Sequence, residues 1–441
     1  MFRKSLFVLI ALIAVLVAPP ELFAQGKNYG PGVSDHEIKL GQTMPHSGPL
    51  SALSAVGKAE VAYFEMLNAS GGVNGRKIKL ISLDDGYNPA KTVEQTRALV
   101  ENVRVLALFS SLGGATNAAI HKYVNDNKIP HLFIASNLMR WADPTHFPWT
   151  IQSVRAPFYV EGQVFARYIL KIRPNAKIAI LSFQEDTAKD YLAGFRSVLG
   201  DRANAMIVAE ATHEMNDPTV DSQILTLKAS GADTLLTLAG PKHAAMAIRK
   251  LYNIGWRPLQ IVPFFASSIS AVLKPAGLEK SIGLISSAVA KDPSDPQWQD
   301  EPAMKDYLAW AKKWYASGDP LTWDVVVGYI KGQLMAEVLR RCGDELTREN
   351  LLRQATGIKH LQMSLMLPGI TIDLSPTDYV PVDQVQLIRF DGARWVRFGP
   401  VLGPSDGHKA QTNAREVNAP TPAPGAATQH FSKWRETAAR E

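Results

Sequence analysis

Short apolar runs alternate along this chain with longer segments in which apolar residues return every third or fourth position, and each pattern predicts an element. Residues 36–44, "HEIKLGQTM", predict a strand. Val56, Ala59, Tyr63 and Leu67 then fall at i, i+3, i+7 and i+11, one face of a helix. Gly71-Gly72 stops it, Asn74-Gly75 turns the chain, and residues 77–85 form the next strand. Asn88 caps a helix with Pro89 at its first position, carrying Val93, Leu99 and Val103. A strand at 105–109, a helix after Gly114 and a strand at 131–135 follow. The alternation then restarts with helices at 159–170, 189–199, 217–231 and 244–252 and strands at 177–183, 205–210, 232–238 and 259–265. Strands alternating with helices imply parallel sheets covered on both faces, here in two similar α/β halves. No short tandem period is present, which excludes a solenoid. Long amphipathic helices at 303–316 and 325–342 come next, then a hairpin at 385–398 turned at Asp391-Gly392. From 403 to 441 Pro, Ala, Gly, Thr and Asn dominate, and the expectation is a disordered tail.

The length of 441 residues allows two domains with full cores. Residues 1–24 read as a secretory signal: Arg3 and Lys4 start it, residues 6–18 are apolar, and Ala24 suits cleavage. The apolar run ends at Pro19-Pro20, short of a bilayer span, so cleavage and a periplasmic location are expected rather than an anchor. The formal charge is +6; removing Arg3, Lys4 and Glu21 (net +1) leaves +5, thinly spread, with no run of like charges suited to nucleic acid. Cys342 is the only cysteine, so no intrachain disulfide forms, and Val338 and Leu339 beside it predict a buried thiol.

Catalytic signatures are sparse: the sequence has no HExxH, SxxK, GxxxxGK[ST] or GxGxxG pattern, and its one GxSxG match, residues 403–407, falls at the start of the expected tail. No enzymatic activity, metal or cofactor is expected. Cradle geometry remains. Three loops, "PHSGPL", "SSLGGATN" and "ASNLM", each begin where an apolar strand stops, and ligands of open α/β sheets bind beyond strand carboxyl ends. Gly113 and Gly114 admit a ligand to backbone N–H groups, the following helix turns its positive end toward it, and Ser111, Ser136 and Asn137 add donors. Such a cradle suits a carboxylate. The same residues also suit ordinary helix caps, and spacing alone leaves both readings open.

The stretches "IKLGQTMPHSGPLSALSAVG", "NASGGVNGRKIKLISLDDGYNPAKTVEQTRALV", "KIAILS" and "DSQILTLKASGADTLL" together resemble the substrate-binding proteins of branched-chain amino-acid ABC transporters, the leucine/isoleucine/valine-binding type of the type I periplasmic binding proteins. The resemblance spans residues 34–402. It implies two Rossmann-like lobes with parallel sheets joined by three crossover strands, closing on a ligand between them: lobe one at 34–152 and 286–361, lobe two at 153–285 and 362–402. It places the ligand carboxylate on Ser111, Leu112 and Gly113 and on Ala135, Ser136 and Asn137, with Ser47 lining the cleft and Val56 packing on the ligand body. Two departures follow. Phe265 stands where the family has an acid for the ligand ammonium, and the turn "AGPKHA" lacks the usual tyrosine. A buried ammonium without an anionic partner is costly. The expected ligand is therefore a small carboxylate, an aromatic or short-chain organic acid, stacked on Phe264, Phe265 and Trp323; a branched-chain amino acid stays open because Asp186 can supply the charge. The implied partners are ABC permease subunits, met transiently at the membrane, and the moderately apolar helix faces suggest a monomer. A ligand-sensing regulator of the same fold is the alternative, and an exported enzyme a more distant one.

Overall fold

The computed structural model describes residues 27–404 apart from Pro49 and Ser317. The expected signal segment and all but the first two residues of the expected tail lie outside the described residues. Two parallel sheets organise the chain. The first has the order β3-β2-β4-β5, from β2 (Glu37–Met44), β3 (Lys77–Asp84), β4 (Ala107–Phe109) and β5 (His131–Leu132). β2 and β3 run in full parallel register from Glu37↔Lys77 to Met44↔Asp84. β4 is wholly buried, as a central parallel strand covered on both faces must be. A short strand β1 (Asn28–Tyr29) pairs with β11 (Glu345–Leu346).

The second sheet has the order β13-β12-β10-β9-β8-β6-β7. β6 (Ile178–Phe183), β7 (Ile207–His213), β8 (Thr234–Leu238), β9 (Leu259–Ile261) and β10 (Ile285–Ala288) are parallel; the hairpin β12 (Val385–Phe390) and β13 (Trp395–Leu402) closes the edge antiparallel. The chain passes between the sheets three times: after β5, after β10 and before β12. β10 bonds to β9 and β12, so the second passage falls after Ala288, later than the expected 286.

Most expected elements form, with shifted ends. Asn88 accepts from the N–H groups of Ala90 and Lys91, capping the helix Pro89–Arg97. The helix after β7 starts at Asp221, four residues later than the Asp217-Pro218 signal. β9 stops at Ile261 because Pro263 has no N–H for the ladder, and Phe264–Ala266 turns into a 3₁₀ helix. β5 stops at Leu132 because Phe133 adopts φ +54°. Cys342 is buried, as expected, and its thiol is pushed up to about 12 by desolvation. No helix among the described residues is long and apolar enough to cross a membrane.

Two helices join the first sheet to the late part of the chain. Ala55–Ala69 packs against Trp323–Cys342, and the approach is close: a Cβ on Gly328 would lie 2.4 Å from the Val56 carbonyl oxygen, and one on Gly332 would lie 2.6 Å from the Tyr63 ring. That contact carries the start of Trp323–Cys342 to the cleft between the sheets.

Candidate functional site

The carboxyl ends of β4 and β5 open onto a cavity of about 270 Å³ walled by residues of both halves. Its floor is a pair of stitched loops. Leu112 N–H donates to the Thr43 carbonyl (3.1 Å), Gly113 N–H to Ala135 (3.2 Å), and Ala135 N–H to Ser111 (2.9 Å). The Asn117 side chain donates to the carbonyls of Ser111 (2.9 Å) and Gly113 (2.6 Å), and the Thr116 hydroxyl donates to Leu112. Gly113 has φ +111°, and a Cβ there would lie 2.3 Å from Thr116 Oγ1 and 2.7 Å from Tyr87 Cε2, so only glycine fits. Buried Ser110 also holds a positive φ, +59°, immediately before this loop. Strain of this kind persists where surrounding structure enforces it, and it clusters at ligand sites.

The N-cap of the helix Gly114–Asp126 is Gly113, which has no side chain to cap it; Gly113 and Gly114 line the cavity, so the positive end of the helix dipole lies at its floor, where the Tyr87 hydroxyl meets the Gly114 N–H. Among the described residues the backbone N–H groups of Ser136 and Asn137 donate to no protein acceptor. These donors and the helix end together suit an anionic head group. The side chains are partly committed elsewhere: Ser136 Oγ accepts from Trp141 Nε1 (2.9 Å), and Asn137 Nδ2 donates to the Ala156 carbonyl (3.2 Å).

The opposite wall is aromatic. Phe158 and Phe264 lie nearly parallel with centroids 6.2 Å apart, and Phe265 stands edge-on to Phe158, Phe183, Tyr191 and Phe264. Glu161, fully buried on the helix Phe158–Ile172, fixes this wall: it accepts from Phe264 N–H (3.0 Å) and from the Ser287 hydroxyl. Desolvation raises the Glu161 carboxyl to about 8, so it sits there protonated at neutral pH.

Charge enters at four points. Arg155 lies over the Phe264 ring at 4.7 Å, a cation–π placement. Lys331 is fully buried, donates to Ser110 Oγ at 3.0 Å, and is pushed down to about 7 by burial although Glu60 pulls it up. Asp324 and Glu185 also line the cavity. Burial raises both carboxyls; Arg155 and Lys331 oppose this at Asp324, whereas Asp186 and Glu214 push Glu185 further up.

Of the residues expected from sequence, Leu112, Gly113, Ala135, Ser136, Asn137, Phe265 and Trp323 line this cavity, as does Val56. Ser47, Ser111 and Asp186 do not. Ser47 is held by Asp84 through its N–H (3.1 Å) and hydroxyl (2.7 Å). Ser111 is buried behind the loop, where its hydroxyl accepts from Thr43 N–H (3.3 Å). Asp186 is paired with Arg140 and Lys189. Sequence reasoning missed Tyr87, Arg155, Glu185, Asp324 and Lys331. Glu185 is the immediate neighbour of the acid chosen instead. Lys331 follows Val327 by one helical turn, a spacing that does put both on one face. Among the described residues no cluster of three or more His, Cys, Asp or Glu is placed to hold a metal ion.

Comparison with known proteins places these features in context. The model of the family described as periplasmic binding protein matches residues 37–394. The Leu/Ile/Val-binding protein homolog 7 of Brucella abortus is 25% identical over 248 residues, covering 53% of this chain and 60% of that protein, so the match spans less than two thirds of the relative's length. A branched-chain amino acid ABC transporter from Thermus thermophilus with bound valine superposes with a TM-score of 0.75 at 15% identity, covering 85% of this chain and 98% of that one. The R. palustris ABC transporter solute-binding protein in complex with benzoate superposes with a TM-score of 0.66 at 17% identity, covering 84% and 98%.

Proposed function

Because the chain belongs to the periplasmic binding protein family, of the type I branched-chain amino acid group, we propose that it is the extracytoplasmic solute receptor of an ABC importer and that it closes two lobes on a small organic acid. The observation that carries this reading is the contrast between the two walls of one cavity. One offers unpartnered backbone N–H groups and a helix N-terminus; the other offers four phenylalanine rings, with Phe265 where an ammonium-binding acid was expected. The head group is a carboxylate held by the loops at 112–114 and 135–137, and the body is apolar, aromatic or short-chain. Arg155 and Lys331 line the same cavity beside Asp324 and Glu185, so its charged side chains oppose one another and the preference for an anion rests on the backbone donors and the helix end. The lobes divide at the three passages, lobe one holding the four-stranded sheet with the helices up to residue 361, lobe two the larger sheet. Ligand contact with both lobes favours the closed state, and closure presents both to permease subunits.

One observation favours a second reading, an amino acid ligand: Glu185 lines the cavity, half-buried, with no cation paired to it among the described residues. A thermal-shift screen of the native protein and Glu185→Gln against benzoate, short aliphatic acids and leucine separates the two. The organic-acid reading expects benzoate or an aliphatic acid to raise the melting temperature of both proteins alike. Stabilisation by leucine alone, lost in Glu185→Gln, replaces it with the amino-acid reading.

A further inference from the structure

The cleft does not end at the cavity described. A second chamber of about 330 Å³ lies beside the first and shares four wall residues with it: Pro241, Phe265, Trp323 and Asp324. Phe265 and Trp323, two of these shared residues, come from opposite halves of the chain, so both halves wall the place where the chambers meet. The first chamber alone falls just under the usual range for ligand pockets, about 300–1,000 Å³, while the two joined lie well inside it. The linings differ in chemistry. The second chamber is bordered by Ser51, Ser268, Thr322 and Tyr315, with one basic residue, Lys58, and two acidic ones, Asp319 and the shared Asp324. Such a wall offers hydroxyl donors and acceptors and, with acids outnumbering bases, has no net attraction for an anion.

We propose that the two chambers form one elongated site and that the ligand is a long organic acid: carboxylate in the first chamber, apolar body passing between Phe265 and Trp323, and a neutral hydroxyl- or amide-bearing tail in the second. The inference rests on the acid-receptor reading and narrows it.

Calorimetric titration with benzoate, phenylbutanoate and hydroxyphenylbutanoate tests this. Ala271 and Ala52 are exposed residues on the rim of the second chamber, one from each half of the chain. Ala271→Phe narrows the second chamber without touching the first, and Ala52→Phe does the same from the other side should the first variant fail to fold. The longer acids are expected to bind the native protein about tenfold more tightly than benzoate, hydroxyphenylbutanoate best, and each variant to lose that gain while benzoate affinity stays within about twofold. Longer acids that bind no better than benzoate, or variants that weaken all three equally, overturn the second chamber alone. If no acid of the series binds, the acid-receptor reading falls, and this inference with it.

Discussion

Glu161 shows how a single buried acid shapes the site without lining it. Its carboxyl holds Phe264, and thereby the aromatic wall, in place. The folded protein keeps that proton up to about pH 8, whereas the unfolded chain releases it near 4.5. The group therefore contributes stability that is full below its unfolded value and is lost as pH rises toward the folded one, at about 1.4 kcal/mol per pH unit for one proton. Glu60, raised to about 8 by the same cause, adds in the same direction. Buried His121 and His131, lowered to about 4 and about 3, and Lys331 act in the opposite sense, so the test is a difference: the stability of the native protein relative to Glu161→Gln, which keeps an acceptor for Phe264 N–H, is expected to fall from about pH 5 to about pH 8, and a difference that does not change with pH contradicts the assignment. At this scale the sequence was legible where backbone geometry dictates identity. Gly113 and the Asn88-Pro89 cap are such positions, each tied to one local conformation. It was opaque where long-range packing selects a side chain. Lys331 looks like the polar residue of an amphipathic helix until Ser110, 221 positions away, closes over it. Glu185 and Asp186 cannot be ranked by composition, because the turn into the helix Asp186–Leu199 decides which of them faces the cavity.

Among the elements, the pairing of Ala55–Ala69 with Trp323–Cys342 matters most to the site, since it delivers Trp323, Asp324, Val327 and Lys331 to the cleft. Glycine permits it. Gly328→Leu forces a side chain into the Val56 carbonyl and Ala59 and is expected to lower stability by about 3 kcal/mol in a chemical denaturation curve, with weakened ligand binding because the lining moves. Loss of less than about 0.5 kcal/mol would show the helices free to separate. Hydrophobic period found nearly every helix and strand of the two halves, since amphipathic faces and buried parallel strands repeat in recognisable ways. The ends were less visible. The apolar run 259–265 continues past the strand it begins, and its last residues leave the sheet to become the aromatic wall, which is why Phe264 and Phe265 serve the site rather than the ladder.

For the molecule as a whole, resemblance supplied what periodicity does not: that two α/β halves are joined by three passages and form one cleft. The matched family and the superposed folds bear out that architecture. Ligand choice lies outside what fold conveys, because one fold serves many ligands and specificity rests on a few side chains at the strand ends. The central claim is that this cleft holds a negative head group by backbone amides and gives an ammonium no counterpart at Phe265. Calorimetric titration with three molecules of matched body tests it most directly: phenylpropionate, phenylalanine and phenylethylamine. The account predicts that phenylpropionate binds most tightly, phenylalanine at least about tenfold more weakly, and phenylethylamine not at all. Tighter binding of phenylalanine than of phenylpropionate, or any saturable binding of phenylethylamine, contradicts it.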